Sequence, residues 1–169
     1  MRREMTTSSA EATRGVGRAL GETVSAGAVV VLTGDLGAGK TVLAKGVAEG
    51  LGVAEEVTSP TFNILLVHEG RVELAHFDLY RLEREAELED IDFWGVLESG
   101  AACLVEWGDR FPDALPPDAL TVSISITGDE SRRIDVKASG PRSEALAQAW
   151  IEASAGLPGV AVVPGERSP

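Results

Sequence analysis

The sequence predicts an α/β fold, and three observations carry the prediction. The β-branched run Ala28-Val29-Val30-Val31-Leu32-Thr33 reads as a buried strand. Directly after it, Gly34-Asp35-Leu36-Gly37-Ala38-Gly39-Lys40-Thr41 matches G-x-x-x-x-G-K-[ST], the phosphate-binding P-loop motif. Beyond the loop, Leu43, Val47 and Leu51 recur at helical spacing, and Gly50 and Gly52 supply stop signals. Strand, glycine loop and helix in that order form the context the motif needs. The bland alternative is a tight turn without a ligand.

The loop's chemistry follows from its residues. Glycines let the backbone curl so that successive N–H groups face phosphate oxygens, and the helix N-terminus adds positive potential. Asp35, Leu36, Gly37, Ala38, Gly39, Lys40, Thr41 and Val42 are therefore the expected nucleotide-binding run. Lys40 is expected on the β- and γ-phosphates and the Thr41 hydroxyl on Mg²⁺.

The elements follow in order. Residues 1–7 read as a disordered start, 8–154 as one domain and 155–169 as a disordered tail rich in Pro and Gly. Ser8-Ser9-Ala10-Glu11 has a capping-box pattern, and Ala12, Val16, Ala19, Leu20 and Val24 predict a helix over about 9–23. Asn63–His68 and Val72–Asp78 read as paired strands joined at Glu69-Gly70. Residues 83–99 read as an acidic helix, its charges a solvated face in preference to a docking site. Ala101–Glu106 is a continuous apolar run, the pattern of a buried parallel strand. A proline-rich loop, Asp113 to Asp118, precedes strands at 121–127 and 132–138, which read as an antiparallel hairpin. A last helix is expected over 143–153.

Composition narrows the function. The 169 residues are 44% hydrophobic, enough for a globular core. A net charge of −12 argues against tight tRNA or DNA binding, because phosphate backbones demand Lys and Arg. The single cysteine, Cys103, excludes an internal disulfide and fits a cytoplasmic location. Inside an apolar strand it reads as an inert core thiol. No apolar run approaches the ~20 residues of a membrane span, and Met1-Arg2-Arg3-Glu4 lacks the apolar stretch of a signal peptide.

A P-loop enzyme needs a second acid for its metal, at the end of a strand beside the P-loop strand. Glu106 ends the more apolar strand and is the first choice; Asp78 is the other. Thr58-Ser59-Pro60-Thr61 sits where a switch segment could sense a γ-phosphate, with a plain ST-turn as the equal alternative. By residue type alone Trp107 reads as core, and His68 and His76 as structural.

Four blocks together resemble the TsaE (formerly YjeE) family: the glycine loop, Ser59-Pro60-Thr61-Phe62, His76-Phe77-Asp78-Leu79-Tyr80-Arg81 and Leu104-Val105-Glu106-Trp107. These are bacterial ATPases of tRNA threonylcarbamoyladenosine biosynthesis, and the resemblance spans about residues 8–140. It implies a P-loop NTPase-like three-layer fold with a mixed parallel and antiparallel central sheet. It implies Mg-dependent ATP hydrolysis, slow in isolation, that supports turnover of the TsaD–TsaB threonylcarbamoyl transferase. On matching positions, Lys40 and Thr41 carry phosphate and metal, Glu106 carries metal, and Asp78 and Trp107 are needed for activity. Thr61, Thr13 and Arg132 or Arg133 are the further positions expected to border the nucleotide. Two departures stand out: Val42 replaces a usual threonine, and Gly108 a frequent proline.

Three rival readings make different demands on the sequence. A small GTPase would carry an Asn-Lys-x-Asp loop, yet the one asparagine, Asn63, is followed by Ile64. A small-molecule kinase needs an arginine-rich lid, and Arg81 and Arg84 are too few for one. A docking module that binds nucleotide without hydrolysing it stays open on sequence.

Overall fold

The computed structural model describes residues 2–57 and 63–164. Its elements in chain order are β1 (Arg2–Thr7), α1 (Ala10–Thr23), β2 (Val29–Thr33), α2 (Lys40–Gly50), β3 (Leu65–His68), β4 (Leu74–Asp78), α3 (Glu87–Asp90), α4 (Phe93–Glu98), β5 (Ala102–Glu106), β6 (Leu120–Ile126), β7 (Arg132–Ala138), α5 (Pro141–Ser154) and β8 (Val160–Val163). Among the described residues the strands form one sheet in the order β3-β4-β5-β2-β6-β7-β1-β8. The centre is parallel: β2 lies between β5 and β6, and β4 extends it beside β5. Both flanks are antiparallel, through β3 with β4, β6 with β7, β7 with β1, and β1 with β8. The mixed sheet of the sequence reading is therefore present.

Period-2 alternation builds two cores on the two faces of the sheet. Val30, Leu32, Leu104, Val122 and Leu74 face α1, α2 and α5. Val29, Val31, Cys103, Val105 and Phe77 face Leu88 of α3 and Phe93 of α4. Phe77 and Phe93 meet edge to face at 5.0 Å. On the first face, Trp150 of α5 is fully buried and donates its indole N–H to the Val16 carbonyl of α1 at 2.8 Å.

The helix pair α1 and α2 packs backbone on backbone. A Cβ on Gly17 would stand 2.3 Å from the Leu43 carbonyl oxygen, and one on Gly46 2.2 Å from that of Arg14. One turn on, Gly21 and Gly50 make the same approach, 2.1 Å from the Val47 and Arg18 oxygens. Small residues every fourth position let helices touch this closely. Arg14 and Arg18 then converge on Glu49, the Arg18 pair at 2.9 Å. The hydrogen bond from Arg14 holds the Glu49 carboxyl below the usual range. The helix that carries the glycine loop is thus anchored to α1 along its length.

Several expectations need correction. Arg2–Thr7 is a strand and not a disordered start: Met5 is fully buried, in register with Ile134 on one side and Val162 on the other. Residues of the expected tail form β8 on the same strand. A hexamer with one large apolar residue carries little strand signal of its own, and its pairing comes from partners far along the chain. The expected helix over 83–99 is two short pieces. Asp92 takes a left-handed φ of 52° between them, and Glu87 accepts from the backbone N–H groups of Glu83 (2.7 Å) and Arg84. Those N–H groups are spent on a cap, and the break lets both Leu88 and Phe93 reach the sheet. The β3–β4 connection runs from Glu69 to Glu73, wider than a two-residue turn, because Arg71 reaches back to cap α1 through the Gly21 and Val24 carbonyls at 2.9 Å each. The helix at the N-terminal end begins where expected: Ser9 is its cap, accepting from the Ala12 N–H at 3.0 Å. No helix among the described residues is long and apolar enough to cross a membrane.

Candidate functional site

Β2 delivers the chain to the glycine loop at the carboxyl end of the parallel strands, the end where open α/β sheets bind ligands. Gly34, Gly37 and Gly39 have φ of 149°, 79° and 110°, a region that side chains with a Cβ rarely adopt. Gly34 also passes against β6, where a Cβ would meet the Ile124 carbonyl oxygen at 2.7 Å. Above Gly37 a Cβ would meet nothing within 4 Å, so that side of the loop is open. Gly39 is the N-cap of α2 and supplies no side-chain cap. Among the described residues no cap side chain takes the first N–H groups of that helix, and such N–H groups are the physical basis of anion binding at a helix N-terminus.

Lys40, buried at 7% exposure, folds back along its own loop and donates to the Gly34 carbonyl. Its ammonium also lies 3.8 Å from the centroid of the Trp107 ring, a cation–π contact. Burial pushes its pKa down, opposed by Glu106, Asp78, Asp109 and Asp35. A partly desolvated cation held on a carbonyl and a ring has a clear gain from meeting phosphate oxygens.

The two acids stand side by side. Β4 and β5 run parallel with Asp78 in register with Glu106, and both side chains are at least 96% buried: exposures are 4% and 3%. Asp78 Oδ1 accepts from the Tyr80 N–H at 3.0 Å. Glu106 Oε2 lies 2.6 Å from His76 Nε2. A cavity of about 260 Å³ joins Asp78, Glu106 and Trp107 to Leu36, Gly37, Gly39, Lys40, Thr41 and Val42. Most of the expected nucleotide and metal residues therefore line one space.

The other expected residues sort by location. Arg132 is brought in: its Nε donates to the Ala38 carbonyl at 2.8 Å, and its Nη1 to the carbonyls of Gly128 and Ser131 in the β6–β7 turn. Arg133 is not, because successive strand residues point to opposite faces; it pairs with Asp135 at 3.1 Å. Thr13 is buried, its hydroxyl bonded to that of Thr7 at 2.7 Å, and with Val42 and Arg132 it lines a second cavity of about 180 Å³ beside Gly39. Asp35 is exposed on the loop, and Ala38 is buried beneath it with its carbonyl spent on Arg132. Thr61 and the whole Thr58–Phe62 segment lie outside the described residues. Trp107 is half-buried: it packs against the edge of the second core and also reaches the site. It takes a left-handed φ of 62°, and its ring lies between Lys40 and Tyr80, the latter at 4.9 Å. Strain of this kind costs about 1–3 kcal/mol and persists where surroundings enforce it.

Sequence reasoning treated His76 as structural and missed its bond to Glu106. The available signal was strand periodicity: Leu74, His76 and Asp78 share a face of β4, the face on which Leu104 and Glu106 of β5 lie.

The donor set bears on which kind of metal would fit. No group of three or more His, Cys, Asp or Glu side chains able to hold an ion occurs among the described residues. The Thr41 hydroxyl and the carboxylates of Glu106 and Asp78 are hard oxygen donors, too few to complete an octahedron. Such a set suits Mg²⁺ arriving with phosphates, since that ion keeps waters and takes one or two protein ligands.

A roomier cavity of about 390 Å³ lies near Gly27 and Val29, at the opposite end of β2. Its charged residues are committed to structure: Asp118 caps α5 through the Arg142 and Ser143 N–H groups at 2.9 Å each, and Arg142 donates to the Ala26 carbonyl.

Known proteins resemble this chain in sequence and in fold. Residues 7–134 match the family model described as Threonylcarbamoyl adenosine biosynthesis protein TsaE. The TsaE protein of Treponema pallidum is 42% identical over 128 residues, covering 76% of this chain and 95% of that protein. That of Bacillus subtilis is 39% identical over 139 residues, covering 82% and 87%. The crystal structure of Bacillus subtilis YdiB matches with a TM-score of 0.74 and 32% identity, over 90% of this chain and 95% of that one. With the family model matched across most of the chain and these relatives near 40% identity, the chain belongs to the TsaE family of tRNA threonylcarbamoyladenosine biosynthesis proteins.

Proposed function

We propose that this protein binds ATP with Mg²⁺ on its glycine loop, hydrolyses it slowly alone, and so supports turnover of the TsaD–TsaB threonylcarbamoyl transferase. One observation carries the reading: a single cavity joins the uncapped start of α2, Lys40 and the neighbouring acids Asp78 and Glu106. Loop and helix N–H groups donate to phosphate oxygens, and Lys40 exchanges the Gly34 carbonyl for them. The Trp107 ring keeps that ammonium at the mouth of the loop. Thr41 and Glu106 hold the metal, with Asp78 beside them in a fixed Asx turn. Mg²⁺, when bound, neutralises charge on the phosphate oxygens. Arg132 ties the loop to the β6–β7 turn and shapes the adjoining cavity over Thr13 and Val42.

Slow turnover in isolation follows from the cation inventory. Among the described residues Lys40 is the one cationic side chain lining this cavity. An arginine supplied in trans is worth about 10³–10⁵ in rate for P-loop enzymes. The partners are thus expected to raise ATP turnover, and the ATP-bound form to dock more tightly than the empty one. The same inventory favours the second reading, a nucleotide-dependent docking module without hydrolysis. Multiple-turnover phosphate release, measured with and without TsaD and TsaB, separates the two. Turnover that rises with partner concentration supports the ATPase; nucleotide binding with no release under either condition supports the docking module and refutes hydrolysis.

A further inference from the structure

His76 occupies the sheet face beneath α2 and is 99% buried, at 1% exposure. Its Nε2 lies 2.6 Å from Glu106 Oε2, and among the described residues its Nδ1 has no hydrogen-bond partner. A histidine that merely fills core normally has both ring nitrogens satisfied, because an unpaired buried polar atom costs free energy. Among the described residues the one bond of this ring goes to a carboxylate oxygen at the edge of the candidate site. An apolar side chain of similar volume would fill the space without the orphaned nitrogen. What the imidazole adds is the bond to Glu106.

That bond has a direction. An ionised carboxylate only accepts, so Nε2 carries the proton and donates it. With Oε2 held, rotation of the Glu106 carboxylate about its last bond is restrained, and Oε1 is left for another partner. Glu106 and Thr41 line the same cavity. We propose that His76 is a positioning residue: it fixes the Glu106 carboxylate so that the oxygen it leaves free serves the cation accompanying the nucleotide. The arrangement is the familiar one in which a second partner orients a metal-binding carboxylate. The proposal rests on the ATP–Mg²⁺ reading above and adds to it a residue that touches neither metal nor phosphate.

The test separates position from mere packing by where a substitute places its N–H. A glutamine amide nitrogen reaches the place of Nε2; an asparagine amide nitrogen reaches only that of Nδ1. Mn²⁺ replaces Mg²⁺, and its binding to each protein with the β,γ-imido analogue of ATP is followed by the loss of the free-ion electron paramagnetic resonance signal. Affinity for the analogue alone is measured in EDTA. His76→Leu and His76→Asn are expected to weaken Mn²⁺ binding about 10–100-fold, with analogue affinity in EDTA unchanged and His76→Gln close to the parent. Parent-like Mn²⁺ binding by both His76→Leu and His76→Asn overturns the positioning role while leaving the ATP reading intact. So does an equal loss in His76→Gln and His76→Asn. Should His76→Leu fail to fold, the Gln and Asn pair decides alone. A parent protein that binds no nucleotide in either condition refutes the ATP reading, and the inference falls with it.

Discussion

Replacing Gly17 and Gly15 by alanine, one at a time, should move stability in opposite directions although both lie in α1. At Gly17 the new Cβ would stand 2.3 Å from the Leu43 carbonyl oxygen and 3.1 Å from Gly46 Cα. That is roughly 1 Å inside ordinary van der Waals contact, and the obstacle is backbone, which cannot rotate away. Α1 and α2 must separate, and overpacking of this kind costs about 1–3 kcal/mol. Alanine returns up to about 1 kcal/mol through its helix propensity. The net expectation is a loss of about 1–2 kcal/mol, which for a chain of this size lowers Tm by about 2–8 °C. At Gly15 a Cβ meets nothing within 4 Å. Only the propensity gain remains there, so Gly15→Ala should raise stability by up to about 1 kcal/mol. Urea and thermal unfolding of both variants measure this. A Gly17→Ala protein as stable as the parent or more so would refute the backbone contact and leave Gly17 as an ordinary poor helix former.

Lys40→Ala should abolish ATP binding, read by equilibrium fluorescence of the adjacent Trp107, while leaving Tm near the parent value; unchanged binding would place the site elsewhere. Thr41→Ala should weaken nucleotide binding in Mg²⁺ but not in EDTA, and equal loss in both would remove it from the metal. Cys103, its thiol pushed up to about 11 by burial, should resist alkylation at pH 8 until the protein is unfolded; rapid labelling of the native protein would contradict its place in the core. Asp118 is held below the usual carboxylate range by its bonds to Ser143 and Arg142. A depressed folded-state pKa contributes stability above the unfolded value, about pH 3.9, and loses it as pH falls through the folded one. Asp118→Ala should therefore lower Tm at pH 7 and narrow the gap to the parent in acid, and a gap that stays constant with pH would rule out the carboxylate cap.

Local signals explain which parts of this molecule were legible in the sequence. The glycine loop is self-announcing because its residues, spacing and flanking periodicity all lie within one short stretch. Ala101–Glu106 read as a parallel strand because burial on both faces removes polar alternation. By contrast, β1 and β8 depend on each other and on β7, and neither Arg2–Thr7 nor Val160–Val163 carries that information alone. The break at Asp92 was hidden for a related reason. The 83–99 stretch has helical spacing, and what divides it is the separate demand of Leu88 and Phe93 for the sheet.

The site shows the same division at finer grain, and Trp107 and His76 are its clearest cases. A tryptophan after an apolar strand belongs in a core by its size alone. Here it stays at the core's edge, and with a left-handed backbone at 107 its ring also meets Lys40; no propensity scale anticipates a strained tryptophan. For His76 the missing step was arithmetic. Once Asp78 is placed at the end of a strand, every second residue before it shares its face, and a parallel neighbour ending in Glu106 brings a carboxylate diagonally across from 76. Strand-end acids in parallel sheets should therefore be read together with the residue two positions before each. That position lies one step deeper in the same layer, is shielded from water, and is where a donor can hold the acid in place.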